Sequence, residues 1–332
     1  MTDVAVIGYG LMGKERVRAL CELRDEGESI GRIVVCDPRA RREKEMTNEG
    51  GVTWCETADE ALSQSPDWVI VATPHDVAVA VAGKALPSGA RVLMEKPFGR
   101  SLAEAERLVA QMRFPGQITV GLNYRFLPGV AAFLEDLRTG RFGPLISIQM
   151  VLGHGGAPGM NESWKFDPVR GGGCLLDPGI HLFDLCRQIS GQKIEVRRGW
   201  KWSGFWKTGI IEEAQLLLDA GSFLVNLQVS LVRWRNTFLL EAHGVDGYGV
   251  VTGRGGCYGP QRYRRGQRWA WLDGTPQETT EEEVCVSDCR DSFRDELRAL
   301  FRGAEEPDKP HPCTAAEALE AMRLYQSCLD SL

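Results

Sequence analysis

Long apolar runs are missing from this 332-residue chain. None approaches the length of a membrane span, which excludes a helical membrane protein and leaves no membrane partner expected. Histidine is scarce, at five residues, and no CxxC pair occurs. The ten cysteines (Cys21, Cys36, Cys55, Cys174, Cys186, Cys257, Cys285, Cys289, Cys313 and Cys328) are scattered through apolar or helical stretches. Without clustered ligands there is no zinc site to expect, and metal is excluded from the candidate chemistry. Scattered thiols in a chain this long read as reduced, packed side chains of a cytoplasmic protein. A dominant charge sign is also missing: the net charge is -6, with acidic and basic residues interleaved. Nucleic acid is therefore a poor partner. The opening residues MTDVAVIGYG have no basic n-region and no small-residue cleavage site, so they are expected to be part of the folded protein. Internal repeats and low-complexity tracts are lacking as well.

What is present is an ordinary apolar content of 43% over a length that exceeds one core, so two domains are expected. The first part of the chain alternates short β-rich runs with helical patterns, the signature of a doubly wound parallel α/β sheet. DVAVIG (Asp3 to Gly8), RIVVCD (Arg32 to Asp37), DWVIVAT (Asp67 to Thr73), ARVLMEKP (Ala90 to Pro97) and QITVGLNYR (Gln117 to Arg125) read as strands. Between them, MGKERVRALCEL, DVAVAVAGKAL and SLAEAERLVAQM read as helices. Ser101 is the N-cap of the last, with Glu104 at the capping-box position. After Arg125 the period changes. In SFLVNLQVSLV, Phe223, Val225, Leu227 and Val229 fall on one face, and Leu224, Asn226, Gln228 and Ser230 on the other, as in an antiparallel sheet with one buried face. TFLLEAHG and YGVVTG continue that pattern, and helical stretches near Asp288 to Phe301 and near Thr314 to Leu329 close the chain, with AEEPDKPHP between them as a surface linker. The expected division is residues 1–122 as the doubly wound parallel α/β domain and residues 123–332 as a second α/β domain with a mostly antiparallel sheet.

VIGYGLMG spaces Gly8, Gly10 and Gly13 as G-x-G-x-x-G, after a strand and at the opening of a helix. The first glycine makes a tight turn, the second lets backbone approach a pyrophosphate, and the third permits close helix–strand packing. The N–H groups of the first turn, at Leu11 and Met12, then face the phosphates. Asp37 ends the second strand, where a carboxylate accepts the ribose hydroxyls and repels a 2′-phosphate; NAD is expected rather than NADP. Arg39, Arg41 and Arg42, just beyond, are the residues that could instead hold a phosphate.

CLLDPGIHLFDL (Cys174 to Leu185) sets Asp177 four residues before His181 and Asp184 three after it. Asp177 suits an N-cap and Pro178 the first helical position, so a helix is expected to begin there. His181 then lies in the first turn or just beyond, near the positive end of the helix dipole. That placement keeps the ring neutral and ready to take a proton. Gly171 to Gly173 would let a ligand approach the backbone, Leu176, Ile180 and Leu185 supply a buried face, and Asp184 reads as structural. A capped core helix with a satisfied histidine is the alternative for the whole segment.

GYGLMG, EKPF (Glu95 to Phe98) and GGGCLLDPGIHLFD (Gly171 to Asp184), in that order, resemble the family of glucose–fructose oxidoreductase, inositol dehydrogenase and MocA. The resemblance covers essentially the whole chain. It implies a Rossmann domain, an open-sheet domain, a sugar or cyclitol site between them, and homodimers or homotetramers formed through the sheet. The family's E-K-P lysine corresponds to Lys96, and its D-x-G-x-H aspartate and histidine to Asp177 and His181. Thr73, Pro74 and His75 follow a Rossmann strand and, with Glu95 and Lys96, are expected near the nicotinamide; His75 stands where the family often has asparagine. Asn123, Tyr124, Arg125, Trp164 and Arg170 are expected to border the substrate, with Lys165 a further candidate. The activity implied is hydride transfer between a ring secondary alcohol of a carbohydrate-like small molecule and NAD. An NAD-dependent glycoside hydrolase working by transient oxidation, or a non-catalytic NAD or sugar sensor, are the alternatives. The arginines of GPQRYRRGQRW (Arg262, Arg264, Arg265 and Arg268) read as a solvated hairpin edge or as contacts to a nucleotide-sugar diphosphate or a neighbouring subunit. The glycine- and tryptophan-rich stretch Gly199 to Gly209 reads as a loop.

Overall fold

The computed structural model describes residues 1–38, 51–267, 281–303 and 310–332. Arg39, Arg41, Arg42, Arg268 and most of the AEEPDKPHP linker lie outside them. The chain divides into two compact units. The first comprises Met1–Asn123, Phe293–Ala304 and His311–Met322, and the second is built mainly from Tyr124–Ser292 and Arg323–Leu332.

The first unit is a seven-stranded sheet in the order β15-β6-β5-β4-β1-β2-β3. Its strands are β1 (Thr2–Ile7), β2 (Ile30–Cys36), β3 (Val52–Cys55), β4 (Trp68–Val71), β5 (Arg91–Glu95), β6 (Ile118–Gly121) and β15 (Cys313–Thr314). All neighbours are parallel except β15, which adds antiparallel to β6 through Cys313↔Val120 and Thr314↔Thr119. The continuous apolar runs have their physical reason here: Val4, Val6, Ile70 and Leu93 are fully buried, as strands covered on both faces require. The helix Leu11–Asp25 lays Leu20 and Leu23 on that core, and Leu297 and Leu300 of the helix Ser292–Arg302 join the same cluster. The expected strand Gln117 to Arg125 is shorter than its pattern: pairing stops at Gly121, and Asn123–Phe126 form a 3-10 turn. In the helix Leu102–Val109, Ser101 caps Glu104 N–H as expected, while Glu104 reaches back one residue further, accepting from Arg100 N–H at 2.8 Å.

The second unit holds an eight-stranded sheet in the order β14-β13-β12-β11-β7-β10-β9-β8. Its strands are β7 (Leu145–Gly153), β8 (Glu195–Trp202), β9 (Glu213–Asp219), β10 (Leu224–Ser230), β11 (Thr237–Gly244), β12 (Gly247–Thr252), β13 (Gln261–Gln267) and β14 (Glu282–Ser287). Every pairing is antiparallel except β7 with β10. Register turns the period-two pattern into buried cross-strand rows: Ala242–Ile148–Val225–Leu218, then Leu240–Met150–Leu227–Leu216. The opposite face is exposed at Leu224 and Asn226.

One loop reading and one edge reading are corrected by strand formation. Gly199–Trp202 belong to edge strand β8, which leaves Trp200 and Trp202 exposed, while Trp206 packs on Phe166 and donates its indole N–H to Leu231 O at 2.9 Å. The arginines of Gln261–Gln267 lie on an inner strand, where the acidic neighbour β14 and the preceding residue Glu281 meet them. Arg262 pairs with Glu283 at 2.8 Å, Arg264 with Glu281 at 3.3 Å, and Arg265 with Asp136 at 2.8 Å. Arg262 and Arg264 stay partly exposed, in keeping with a solvated hairpin, and acidic neighbours neutralise them locally.

Candidate active site

In the first unit the glycine loop is shaped by contacts that exclude side chains. Gly8 has φ +97°, and a Cβ there would meet Ala72 O at 2.6 Å. A Cβ on Gly13 would lie 1.9 Å from Gly8 O, whereas the same position on Gly10 is open. Gly8 N–H donates to Cys36 O, and Tyr9 N–H donates to the buried Asp37 carboxylate at 2.9 Å, so the end of β2 is tied to the loop. Gly10 is the N-cap of Leu11–Asp25 without a side-chain cap, and Leu11 is 75% exposed. The first-turn N–H groups at Leu11 and Met12 are thus left for an anionic group. Thr73 follows β4 beside the loop, and its Oγ1 is buried with no hydrogen-bond partner within the described chain. Pro74 caps the helix His75–Ala85, and His75 is buried at its start. An open glycine, bare helix N–H groups, a buried carboxylate and an orphaned hydroxyl fit a dinucleotide.

Glu95 points into the unit rather than outward. Its Oε1 accepts from Arg16 Nε at 2.7 Å, and Arg16 Nη2 lies 2.7 Å from Glu296 Oε2, an ion contact rather than an aligned hydrogen bond. All three side chains are buried, and the guanidinium stacks on Phe293 at 4.8 Å. Burial works against the charge of Arg16, but the two carboxylates outweigh it and hold its pKa above the ordinary value. The residue before Lys96 is thereby anchored. Sequence reasoning missed Arg16 and Glu296, because an arginine in an amphipathic helix carries no local mark of burial.

In the second unit the helix starts later than expected. Asp177 ends a short helix, Gly173–Leu176, and the next, Ile180–Ser190, is capped by Gly179 with no side-chain cap bond. Asp177 is no N-cap: its carboxylate instead takes Lys165 Nζ at 3.0 Å. The glycine triplet is also not open to a ligand. A Cβ on Gly171 would lie 1.9 Å from Lys165 O, and one on Gly173 would lie 2.9 Å from Ile211 O, so the chain's own backbone fills that space. His181 does fall in the first turn, 5% exposed, with its ring stacked on Tyr124 at 3.8 Å and 10°. Arg125, next to Tyr124, donates Nε to Asp184 Oδ2 at 2.8 Å and Nη2 to Oδ1 at 2.5 Å; both residues are buried. This bidentate pair fastens the Tyr124 turn to the helix that carries His181, which gives Asp184 its structural part.

The structure therefore brings Tyr124, Asp177 and His181 together with Lys165, and sets Arg125 behind them. Lys165 also lies over the Trp164 ring at 5.9 Å, while Arg170 turns on Asp167, whose Oδ1 accepts its backbone N–H at 3.2 Å. Two residues that the sequence reading passed over complete the cluster. Arg254 lies 4.2 Å over the Tyr258 ring and 5.3 Å over Tyr124. Their only sequence signal is the run of glycines around them, Gly253, Gly255, Gly256 and Gly259, all at positive φ. Among the described residues there is no group of metal ligands, and no helix is long and apolar enough to cross a membrane.

Comparison with known proteins agrees with this architecture. Residues 2–123 match the family model described as "Oxidoreductase family, NAD-binding Rossmann fold", and residues 131–249 match the GFO/IDH/MocA C-terminal domain. The chain is similar to the rhizopine catabolism protein MocA of Rhizobium meliloti, at 28% identity over 192 residues, 57% of each chain. It is similar also to the scyllo-inositol 2-dehydrogenase (NAD(+)) of Bacillus subtilis (strain 168), at 29% identity over 195 residues, 57% of this chain and 54% of that one. The alignments span about half the length of these relatives. Among solved structures, levoglucosan dehydrogenase in complex with NADH and levoglucosan superposes with a TM-score of 0.83 at 16% identity, covering 99% of this chain and 96% of that one. An oxidoreductase domain protein from Kribbella flavida gives 0.81 at 21% identity, covering 100% and 97%. Both share the fold. With its glycine loop, its two sheets and both domain matches in place, the chain belongs to the GFO/IDH/MocA family of oxidoreductases and carries that family's NAD-binding Rossmann domain.

Proposed function

We propose that the protein transfers hydride between a ring secondary alcohol of a sugar, cyclitol or sugar derivative and NAD. The observation that carries this reading is the ordered cluster of Tyr124, Asp177 and His181 on a family member that also retains Lys96. Relatives named scyllo-inositol 2-dehydrogenase, D-glucoside 3-dehydrogenase and levoglucosan dehydrogenase support the substrate class. NAD, when bound, would supply the hydride acceptor for the carbinol carbon. His181 takes the hydroxyl proton as general base, held in plane by Tyr124, and Asp177 orients the ring or an adjacent hydroxyl. Lys96 sets positive charge beside the developing alkoxide. Gly8, Gly10, Leu11, Met12, Gly13, Thr73, Pro74 and His75 hold the dinucleotide, and Asp37 binds the ribose in preference to a 2′-phosphate. Asn123, Trp164 and Arg170 border the substrate. Self-association is assigned to the open face of the second sheet, where Ile146, Leu224, Trp200 and Trp202 stay exposed; a monomeric native mass at micromolar protein would remove that part.

The test is nicotinamide absorbance with NAD against inositols, free sugars, sugar phosphates and nucleotide sugars. A rise with one class is expected. Lys96→Met should lower kcat for that class by about 10²–10³-fold with NAD affinity retained. No rise with any class, or full turnover in the Lys96→Met variant, would overturn the reading.

A further inference from the structure

We propose that Arg254 is an anion-binding residue of this site, and that the substrate it selects carries a carboxylate or a phosphate. The inference deepens the dehydrogenase reading and rests on it for the word substrate.

Arg254 follows β12 on a loop whose shape leaves little freedom. Gly253 has φ +73°, and a Cβ there would meet Pro260 O at 2.2 Å; Gly255 has φ +79°, and its Cβ would meet Asp288 O at 2.1 Å. The arginine between these two glycines is set in place by backbone packing rather than by a solvated strand end. Its Nε is shielded from solvent, and among the described residues it has no hydrogen-bond partner and no carboxylate within ion-pair distance. The nearby acid Asp288 is taken by Arg290 at 2.8 Å.

Two aromatic faces hold the guanidinium instead, Tyr258 at 4.2 Å and Tyr124 at 5.3 Å. Cation–π contact offsets part of the cost of partial burial, but it leaves the charge uncompensated. The same Tyr124 ring stacks on His181 at 3.8 Å, which joins Arg254 to the proposed proton acceptor through one shared side chain. Asp177, the other carboxylate near the cluster, is neutralised by Lys165 at 3.0 Å. The cluster therefore carries one excess positive charge, beside the group that would handle the reacting hydroxyl. A planar guanidinium without a carboxylate partner favours carboxylate or phosphate oxygens over neutral hydroxyls.

Equilibrium binding to the full chain with NAD tests this without turnover. Two matched pairs are titrated by calorimetry: glucuronate against glucose, and glucose 6-phosphate against glucose. In the wild type at least one anion is expected to bind about 10-fold tighter than its neutral partner, the scale of a hydrogen bond to a charged group. That ratio should collapse towards 1 in Arg254→Met and be partly kept in Arg254→Lys, and the responding pair tells carboxylate from phosphate. Thermal melts and NAD binding report whether either variant still folds, and the lysine variant keeps the comparison open if the methionine one does not. A wild type that prefers neither anion, or binds neither measurably, overturns the proposal, as does an anion preference that survives in Arg254→Met. A chain that shows the preference yet never turns over would sink the dehydrogenase reading and leave this site standing.

Discussion

Replacing Arg16 by methionine is expected to lower the stability of the first unit by about 3–5 kcal/mol, as removal of one member of a buried ion cluster does. The cost comes less from the lost attraction than from what remains. Glu95 and Glu296 would be left in a space largely shielded from water. Repulsion and desolvation would then act on both at once, and one must take up a proton or drag solvent inward. Room for rearrangement is small, because even a Cβ on Gly121 would come within 2.7 Å of Arg16 Nη2. Urea unfolding followed by tryptophan fluorescence reads the loss, with Trp54 and Trp68 as reporters in this unit. Adding Glu95→Gln and Glu296→Gln to the same chain should recover part of it, since neutral amides need no counter-charge. A loss below about 1 kcal/mol in the single variant would show that the triad is solvated in solution and does not act as a buried cluster.

The second large effect concerns His181. On the proposed mechanism, His181→Ala should lower kcat by about 10²–10⁴-fold, the range for loss of a positioned general base. NAD affinity should stay near that of the wild type, because the dinucleotide is assigned to residues of the other unit. Stability should change little: the removed ring leaves Tyr124 with its contact to Phe238 at 5.7 Å, and the Arg125–Asp184 pair still fixes the turn. Single-turnover absorbance gives kcat, and fluorescence titration gives the NAD affinity. A variant within tenfold of the wild type would take the proton-transfer role away from His181.

The glycine loop was legible in the sequence because its demands are local. A strand, three spaced glycines and a helix start must coincide, and the structure shows the steric reason at Gly8 and Gly13. The buried strands were legible for a related reason, since burial on both faces leaves a run such as Trp68–Val71 no place for a polar residue. The second sheet showed itself through period two at Leu224–Ser230. What escaped depends on partners far along the chain. Asp177 has the chemistry of an N-cap, but Lys165 takes its carboxylate, and a tight turn separates it from the helix it was expected to start. Gly171 and Gly173 signalled a close approach correctly and left open what approaches, which is the chain itself. Arg254 is marked only by the glycines around it, because its meaning lies in an acid that no described residue offers it.

The antiparallel pairing of Cys313–Thr314 with β6 has a consequence for synthesis. A ribosome that has released the first 123 residues has delivered every parallel strand of the NAD-binding sheet. The edge of β6 is still bare at that moment, and Arg16 still lacks Glu296. This unit reaches its final state only after residues near 313 have emerged, with the whole second sheet made in the meantime. Throughout that interval a nascent chain exposes an unpaired strand edge, and neighbouring chains on a polysome are its nearest source of a wrong partner.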